Sequence, residues 1–316
     1  MDDYAITRKF NCFVGDNASN NDAKLIAGLN SACGLNLTSS HRIRCAGHII
    51  NLVVKAIIYG KGVNRFELDL AAAAPQQQFE MFRKKGVVGK VHNFVTAVLG
   101  SHKRREAFLA VQRDLAEDDP IWSFGTLNLV KDGGVRWHST YLMLKRCHEL
   151  KDAINRFQRQ MRAASRLNNL KEESEDEVFQ GEDDSDDELP AKAAKARSSL
   201  PYDPLTDFIS DDEWAEIEQL SDFLVSFYEM TRRLEGNQST STFGSLWQTI
   251  TNLQHLDDLL RDMIKQTAGE HFDSYLRTAV RFGLEKLTTY WGKLIIEPEI
   301  SYYAVATILH PKLRLA

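Results

Sequence analysis

Phe13-Val14-Gly15-Asp16-Asn17-Ala18-Ser19-Asn20-Asn21-Asp22 reads as the end of a β-strand running into the start of a helix. Apolar residues lead up to Gly15. Asp16, Asn17, Ser19 and Asn20 then offer side-chain oxygens to the free N–H groups of a helix over 23–29. Asp16 thereby stands at the C-terminal tip of a strand, the edge of an open α/β sheet where ligands and metal ions gather. An acidic residue at that tip suits a helix cap or a ligand to a divalent cation. A single carboxylate is a poor site, because Mg²⁺ takes several oxygens, usually one or two protein carboxylates with the substrate's phosphates.

Working outward, residues 1–59 are α/β in character. A strand-like run covers 6–14, a short helix 23–29, and a second helix 48–58 with Ile49, Leu52, Val53, Ala56 and Ile57 at helical spacing. After Gly60 and Gly62 the pattern changes to spacings of three and four, through Phe79, Phe82, Val87, Val91, Phe94, Val95 and Val98 and again over 140–161. Amphipathic helices are predicted over 214–234, 243–264 and 272–294, the last ending near Trp291 and Gly292. The expected class is α/β plus all-α, with divisions at 1–59, 60–167, 168–204 and 205–316.

A length of 316 residues suits about two domains, and no apolar run reaches the roughly 18 residues of a membrane-spanning helix. The start of the chain is acidic and lacks the apolar core of a signal peptide. Four scattered cysteines fit reduced thiols in a cytosolic or nuclear protein better than a disulfide framework. Residues 172–188 hold eleven Asp or Glu and no Lys or Arg, which predicts a disordered acidic loop within 168–204. Setting those eleven charges aside turns a net charge of −5 into +6 for the remainder. The positive residues cluster: Arg83, Lys84, Lys85 and Lys90; Lys103, Arg104 and Arg105; Lys145, Arg146, Arg156, Arg159 and Arg162. Such patches suit a phosphate backbone or a plain solvated helix face.

Two further stretches carry chemistry. In Arg42-Ile43-Arg44-Cys45-Ala46-Gly47-His48, Cys45 and His48 share a side of a helix entrance and could ligate zinc or pack as a buried pair. No second Cys/His pair with finger-like spacing accompanies them; Cys147 and His148 are adjacent and point apart. In Gly133-Gly134-Val135-Arg136-Trp137-His138-Ser139-Thr140, an Arg-Trp pair precedes a helix capped by Ser139 or Thr140. The Trp could stack on an unpaired base while the Arg holds a phosphate, or pack against the helix it precedes.

In this order the stretches resemble the hAT transposase superfamily. Its motifs are matched by Asp16 to Asn21, by Arg44 to Leu52 (Arg-Cys-x-x-His-x-x-Asn-Leu), by Arg136 to Leu144 (Arg-Trp-x-Ser-Thr-Tyr-x-Met-Leu), and by Tyr302 to Pro311 (Tyr-Tyr-x-x-Ala-x-x-Leu-x-Pro). The resemblance implies that 1–59 is part of an RNase H-like domain and that a helical insertion domain follows. It implies that Asp16 is the second of three catalytic carboxylates holding Mg²⁺ or Mn²⁺ for attack on a phosphodiester. Cys45 and His48 would neighbour that site, Trp137 would stack on a flipped base beside Arg136, and transposon-end DNA would be the partner, in the nucleus. Arg83, Lys84, Lys85, Lys103, Arg104 and Arg105 are the further DNA-binding candidates. Only fifteen residues precede Asp16, and the chain stops after Ala316. The expectation is therefore a hAT transposase truncated at both ends. It would lack the first and third carboxylates, the N-terminal BED-type zinc finger and the C-terminal dimerisation block, and would retain DNA binding at most. The alternative is a domesticated DNA-binding or protein-interaction module.

Overall fold

A computed structural model of the chain describes residues 9–16, 23–118, 125–134, 136–178, 202–235, 246–266, 274–298, 301–311 and 313. The cap candidates Asn17, Ser19 and Asn20, and the acidic run beyond Val178, lie outside them. In chain order the first elements are β1 (Phe13–Gly15), α1 (Ala23–Cys33), β2 (Arg42–Arg44), α2 (Ala46–Tyr59), α3 (Val63–Ala72) and α4 (Pro75–Arg83). There follow α5 (Gly86–Leu99), α6 (His102–Asp118), α7 (Trp137–Glu149) and α8 (Lys151–Val178). The last are α9 (Asp211–Glu235), α10 (Gln248–Gln266), α11 (Ser274–Trp291) with a π turn at Gly292–Ile296, and α12 (Tyr302–Leu309). The described chain is thus mostly helical, and β1 and β2 are its only strands.

The chain splits into two compact units, Met1–Val63 with Phe223–Ala316, and Asn64–Asp222. In the first, β1 and β2 pair in parallel, Phe13 opposite Arg42 and Gly15 opposite Arg44. A parallel pair needs a crossover connection, and α1 supplies it. The return from α1 is clasped by Asn30, whose amide donates to the Leu37 carbonyl at 2.8 Å while its oxygen accepts the Leu37 N–H at 2.7 Å. Helix α2 is apolar almost all round, with Ile49, Ile50, Val53, Val54, Ile57 and Ile58 buried, so it needs cover on more than one side. Its most extensive helical partner is α11, with α10 packed on α11 and α12 on α10.

The second unit holds a nest of aromatic rings. Phe94 meets Phe108, Phe157 and Tyr202 edge-to-face at centroid distances of 5.9, 6.3 and 6.3 Å. The buried Gln158 amide donates to the Tyr202 hydroxyl and to the Asp207 carbonyl, both at 3.2 Å. The Trp214 indole N–H donates to Asn155 Oδ1 at 2.7 Å. These bonds seat the segment from Tyr202 to Trp214 on α8.

Several elements differ from the sequence expectation. The helical pattern over 140–161 is two helices, broken at buried Leu150, whose N–H still reaches the Arg146 carbonyl. Helix α8 runs on to Val178, so the backbone of 168–178 is helical rather than disordered. Leu, Lys and Glu, strong helix formers, dominate Leu170-Lys171-Glu172-Glu173 and extend the helix past the point where apolar periodicity ends. The unit boundaries fall at 63/64 and 222/223 rather than at 59/60, 167/168 and 204/205. The residues after Phe223 group with the N-terminal strands because α11 covers the apolar surface of α2.

Candidate functional site

The parallel ladder continues one step past its last paired residues, for the Cys45 N–H donates to the Gly15 carbonyl at 2.9 Å. This sets Asp16 and Cys45 beside each other at the C-terminal ends of β1 and β2. Asp16 is exposed and Cys45 half-buried at the N-terminus of α2. The Arg42 guanidinium, 8% exposed, donates to the Asp16 main-chain carbonyl and holds the strand tip in place. His48, in the first turn of α2, is drawn two ways. Burial lowers its pKa, and the Asp16 carboxylate opposes that more weakly, so the imidazole sits below its usual range. Asp16 is therefore brought to the same sheet edge as Cys45 and His48, which lie far from it in sequence.

Two-metal chemistry needs several oxygen ligands around a shared centre. Among the described residues no group of three or more His, Cys, Asp or Glu side chains is placed to hold a metal ion. Asp16 stands as one carboxylate beside a neutral imidazole, a donor set that does not fit a Mg²⁺ or Mn²⁺ pair. No metal-dependent step follows from it. Nor do Cys45 and His48 have, among the described residues, the further ligands that a structural zinc requires.

The opposite flank of β2 is set by α12. The Tyr303 hydroxyl donates to the Arg44 main-chain carbonyl, and burial pushes its pKa up, keeping it a phenol that can donate. Between β2, the turn at Ser39–His41 and the segment from Lys293 to Tyr303 lies a cleft of about 380 Å³. Among the described residues, Arg42, Arg44, Lys293 and Glu297 are its charged lining side chains.

Arg136 and Trp137 belong to the other unit. Helix α7 starts at Trp137 itself, with Arg136 as N-cap, so Ser139 and Thr140 are inside the helix rather than capping it. Both hydroxyls turn back to Asp132, Ser139 to Oδ1 at 2.8 Å and Thr140 to Oδ2 at 3.1 Å, and Oδ1 also accepts the Gly134 N–H at 2.9 Å. Arg136 is exposed. Trp137 is 1% exposed, its ring 4.6 Å from that of His138, because it opens the stripe Trp137, Tyr141, Leu144 that α7 buries. A base could stack on it only after the ring left that face.

The basic clusters also resolve into individual roles. Arg83 forms a two-pronged ion pair with Asp207, Nε to Oδ1 at 2.9 Å and Nη2 to Oδ2 at 2.8 Å. Asp207 is fully buried and also accepts from Asn93 Nδ2 at 3.0 Å. Lys90 reaches Glu213 at 2.6 Å, and Lys85 lies over the Phe66 ring at 4.3 Å, partly buried and with its pKa lowered by that burial. Arg156 pairs with Asp118 at 2.9 Å. Arg83 is thus occupied within the fold, whereas Lys84, Lys103, Arg105, Lys145 and Arg159 are exposed and Arg104 half-exposed.

Residues 43–180 match the family model of the ZBED1 RNase-like helical domain. The matched stretch, less than half of the chain, begins in β2 and ends just past α8, and so takes in Cys45, His48, Arg136 and Trp137. Its similarity to that domain supports transposase ancestry of the hAT type. No curated protein and no solved structure matches the chain.

The roles of Asp132, Arg42, Arg44 and Asp207 in organising these surroundings did not follow from the sequence reading. Asp132 begins Asp-Gly-Gly, a turn signature in which an Asp side chain bonds backbone two residues on, and could have been found from it. The alternation Arg42-Ile43-Arg44 is a strand signal only three residues long. Asp207 stands in a short Pro- and Thr-containing segment, and nothing local marks it as the buried partner of Arg83.

Proposed function

We propose that this chain is a transposase-derived DNA-binding protein of hAT ancestry that does not carry out strand transfer. The observation that carries the reading is the match of residues 43–180 to a ZBED-type helical domain, since that stretch holds two of the four ordered motifs. Support also comes from the meeting of Asp16 with Cys45 and His48, as an RNase H-like ancestry of residues 1–59 requires. Among the described residues Asp16 is the carboxylate at that edge, and binding without cleavage is the reading to be tested. Exposed Lys84, Lys103, Arg105 and Arg136 are the side chains offered to phosphates, and the nucleus is the location proposed with DNA as partner.

Fluorescence anisotropy with a labelled duplex tests this. Affinity is expected to fall steeply with salt, by roughly tenfold or more between 50 and 200 mM for a handful of phosphate contacts. Lys103→Glu with Arg105→Glu should weaken binding, while Asp16→Ala leaves it unchanged. Mg²⁺ or Mn²⁺ should produce no DNA cleavage. Absence of affinity at low salt overturns the binding reading, and cleavage abolished by Asp16→Ala overturns the inactive one.

A further inference from the structure

We infer that the cleft beside β2 is a binding site for a phosphate group carried by a nucleotide. The pleat of a strand puts residues two apart on one side, and Arg42 and Arg44 both line the cleft. Lys293, on the π turn that ends α11, brings a third positive charge, and among the described lining residues Glu297 is the carboxylate that faces it. Both guanidinium groups carry the same charge, and Arg42 is buried. Burial first, and the Arg44 charge after it, lower the Arg42 pKa, and an anion bound in the cleft would offset both. Guanidinium forks match phosphate oxygens in pairs, and a lysine adds a point charge.

The remaining lining is suited to the rest of a nucleotide. Ser39, Ser301 and Tyr302 border the cleft, and Tyr302 is half-exposed, an aromatic ring on which a base can stack. A volume of about 380 Å³ is far more than inorganic phosphate needs and falls within the range of small-ligand sites. The frame is rigid where it matters. Arg42 is anchored on the Asp16 carbonyl, β2 is held by Tyr303, and the Ser301 hydroxyl donates to the Leu294 carbonyl at 3.0 Å. The site goes beyond the DNA-binding reading and does not need it, since the phosphate can come from a strand end or from a free nucleotide.

Isothermal titration of the whole chain at low salt with deoxyadenosine monophosphate, inorganic phosphate and deoxyadenosine is the test. The monophosphate should bind, inorganic phosphate more weakly, and the nucleoside not at all. Lys293→Glu, at an exposed position, should weaken the monophosphate by about tenfold, the worth of one charge-assisted hydrogen bond. Arg44→Gln should do the same, with a circular-dichroism melt to show that β2 stays in place. Lys103→Glu should leave the monophosphate unaffected even where it weakens duplex DNA, so the two readings stand or fall separately. Stronger binding of a 5′-phosphorylated oligonucleotide than of its unphosphorylated twin identifies a strand end as the source. Binding of the monophosphate without that preference identifies a free nucleotide. The inference is overturned if the nucleoside binds as well as the monophosphate, if no phosphate compound binds, or if Lys293→Glu leaves binding unchanged.

Discussion

His92 lies within α5 with its ring stacked on that of Phe82, centroids 3.5 Å apart. Burial lowers its pKa to about 4, against the pull of the Asp132 carboxylate and a bond with Asn93, and Lys131 lowers it further. In the unfolded chain the same imidazole titrates near 6.5. Above that pH it is neutral in both states and costs nothing. As pH falls from about 6.5 towards 4 the unfolded state binds the proton first, and stability drops by roughly 1.4 kcal/mol per pH unit, about 2–3 kcal/mol in all. Urea unfolding at pH 7.5, 6 and 5 should show this loss in the natural chain and a shallower one in His92→Phe, which keeps the stack on Phe82. Parallel pH profiles for the two would refute it. The sequence did not single out His92 or Asp132, because a lone histidine or aspartate acquires its environment only from residues brought in by folding. Asp16 was legible, since its place at a strand tip follows from local pattern. Whether Asp16 has carboxylate neighbours is a tertiary matter, and among the described residues it has none grouped with it for a metal.

At the scale of elements, two helix crossings are so close that only glycine fits. A Cβ on Gly89 would lie 1.7 Å from the Phe82 carbonyl oxygen, and one on Gly283 would lie 2.6 Å from Ile57 Cγ1. The first clash is with backbone and moves α5 off α4. The second is with a buried side chain that can shift, so it is the milder. Gly89→Ala should cost about 3 kcal/mol and Gly283→Ala about 1–2 kcal/mol. Gly28 in α1 has nothing within 4 Å of its Cβ position, so Gly28→Ala should stabilise by about 0.5–1 kcal/mol through helix propensity. Urea midpoints for the three variants check the ranking, and it fails if Gly89→Ala is no worse than Gly28→Ala. Helix identities along this chain were legible from periodicity: 23–29 was found as Ala23–Cys33, 48–58 as Ala46–Tyr59, and 214–234 as Asp211–Glu235. The break at Leu150 and the reach of α8 to Val178 were not, because an apolar residue at a helix junction keeps the spacing intact and helix propensity leaves no apolar mark.

For the molecule as a whole, the unit that holds β1, β2 and α2 is assembled from both ends of the sequence. Residues 1–63 alone would expose the apolar surface that α11 covers, whereas 64–222 is continuous and contains its own aromatic core. Residues 64–222 expressed alone should unfold cooperatively in urea, and 1–63 alone should not. Cooperative unfolding of 1–63 would overturn this. The same division bears on the candidate site. The sequence by itself determined the strand-to-helix turn at Asp16, the type of nearly every helix, and the order of four motifs, because each rests on residues within a dozen positions of one another. Only the tertiary structure decided that Tyr303 braces the carbonyl of Arg44, that Arg83 is spent on Asp207, and that Trp137 faces inward. Those outcomes depend on which apolar face meets which across more than a hundred residues of intervening chain, or, for Trp137, on which side of its own helix the core lies, and no local pattern encodes that choice.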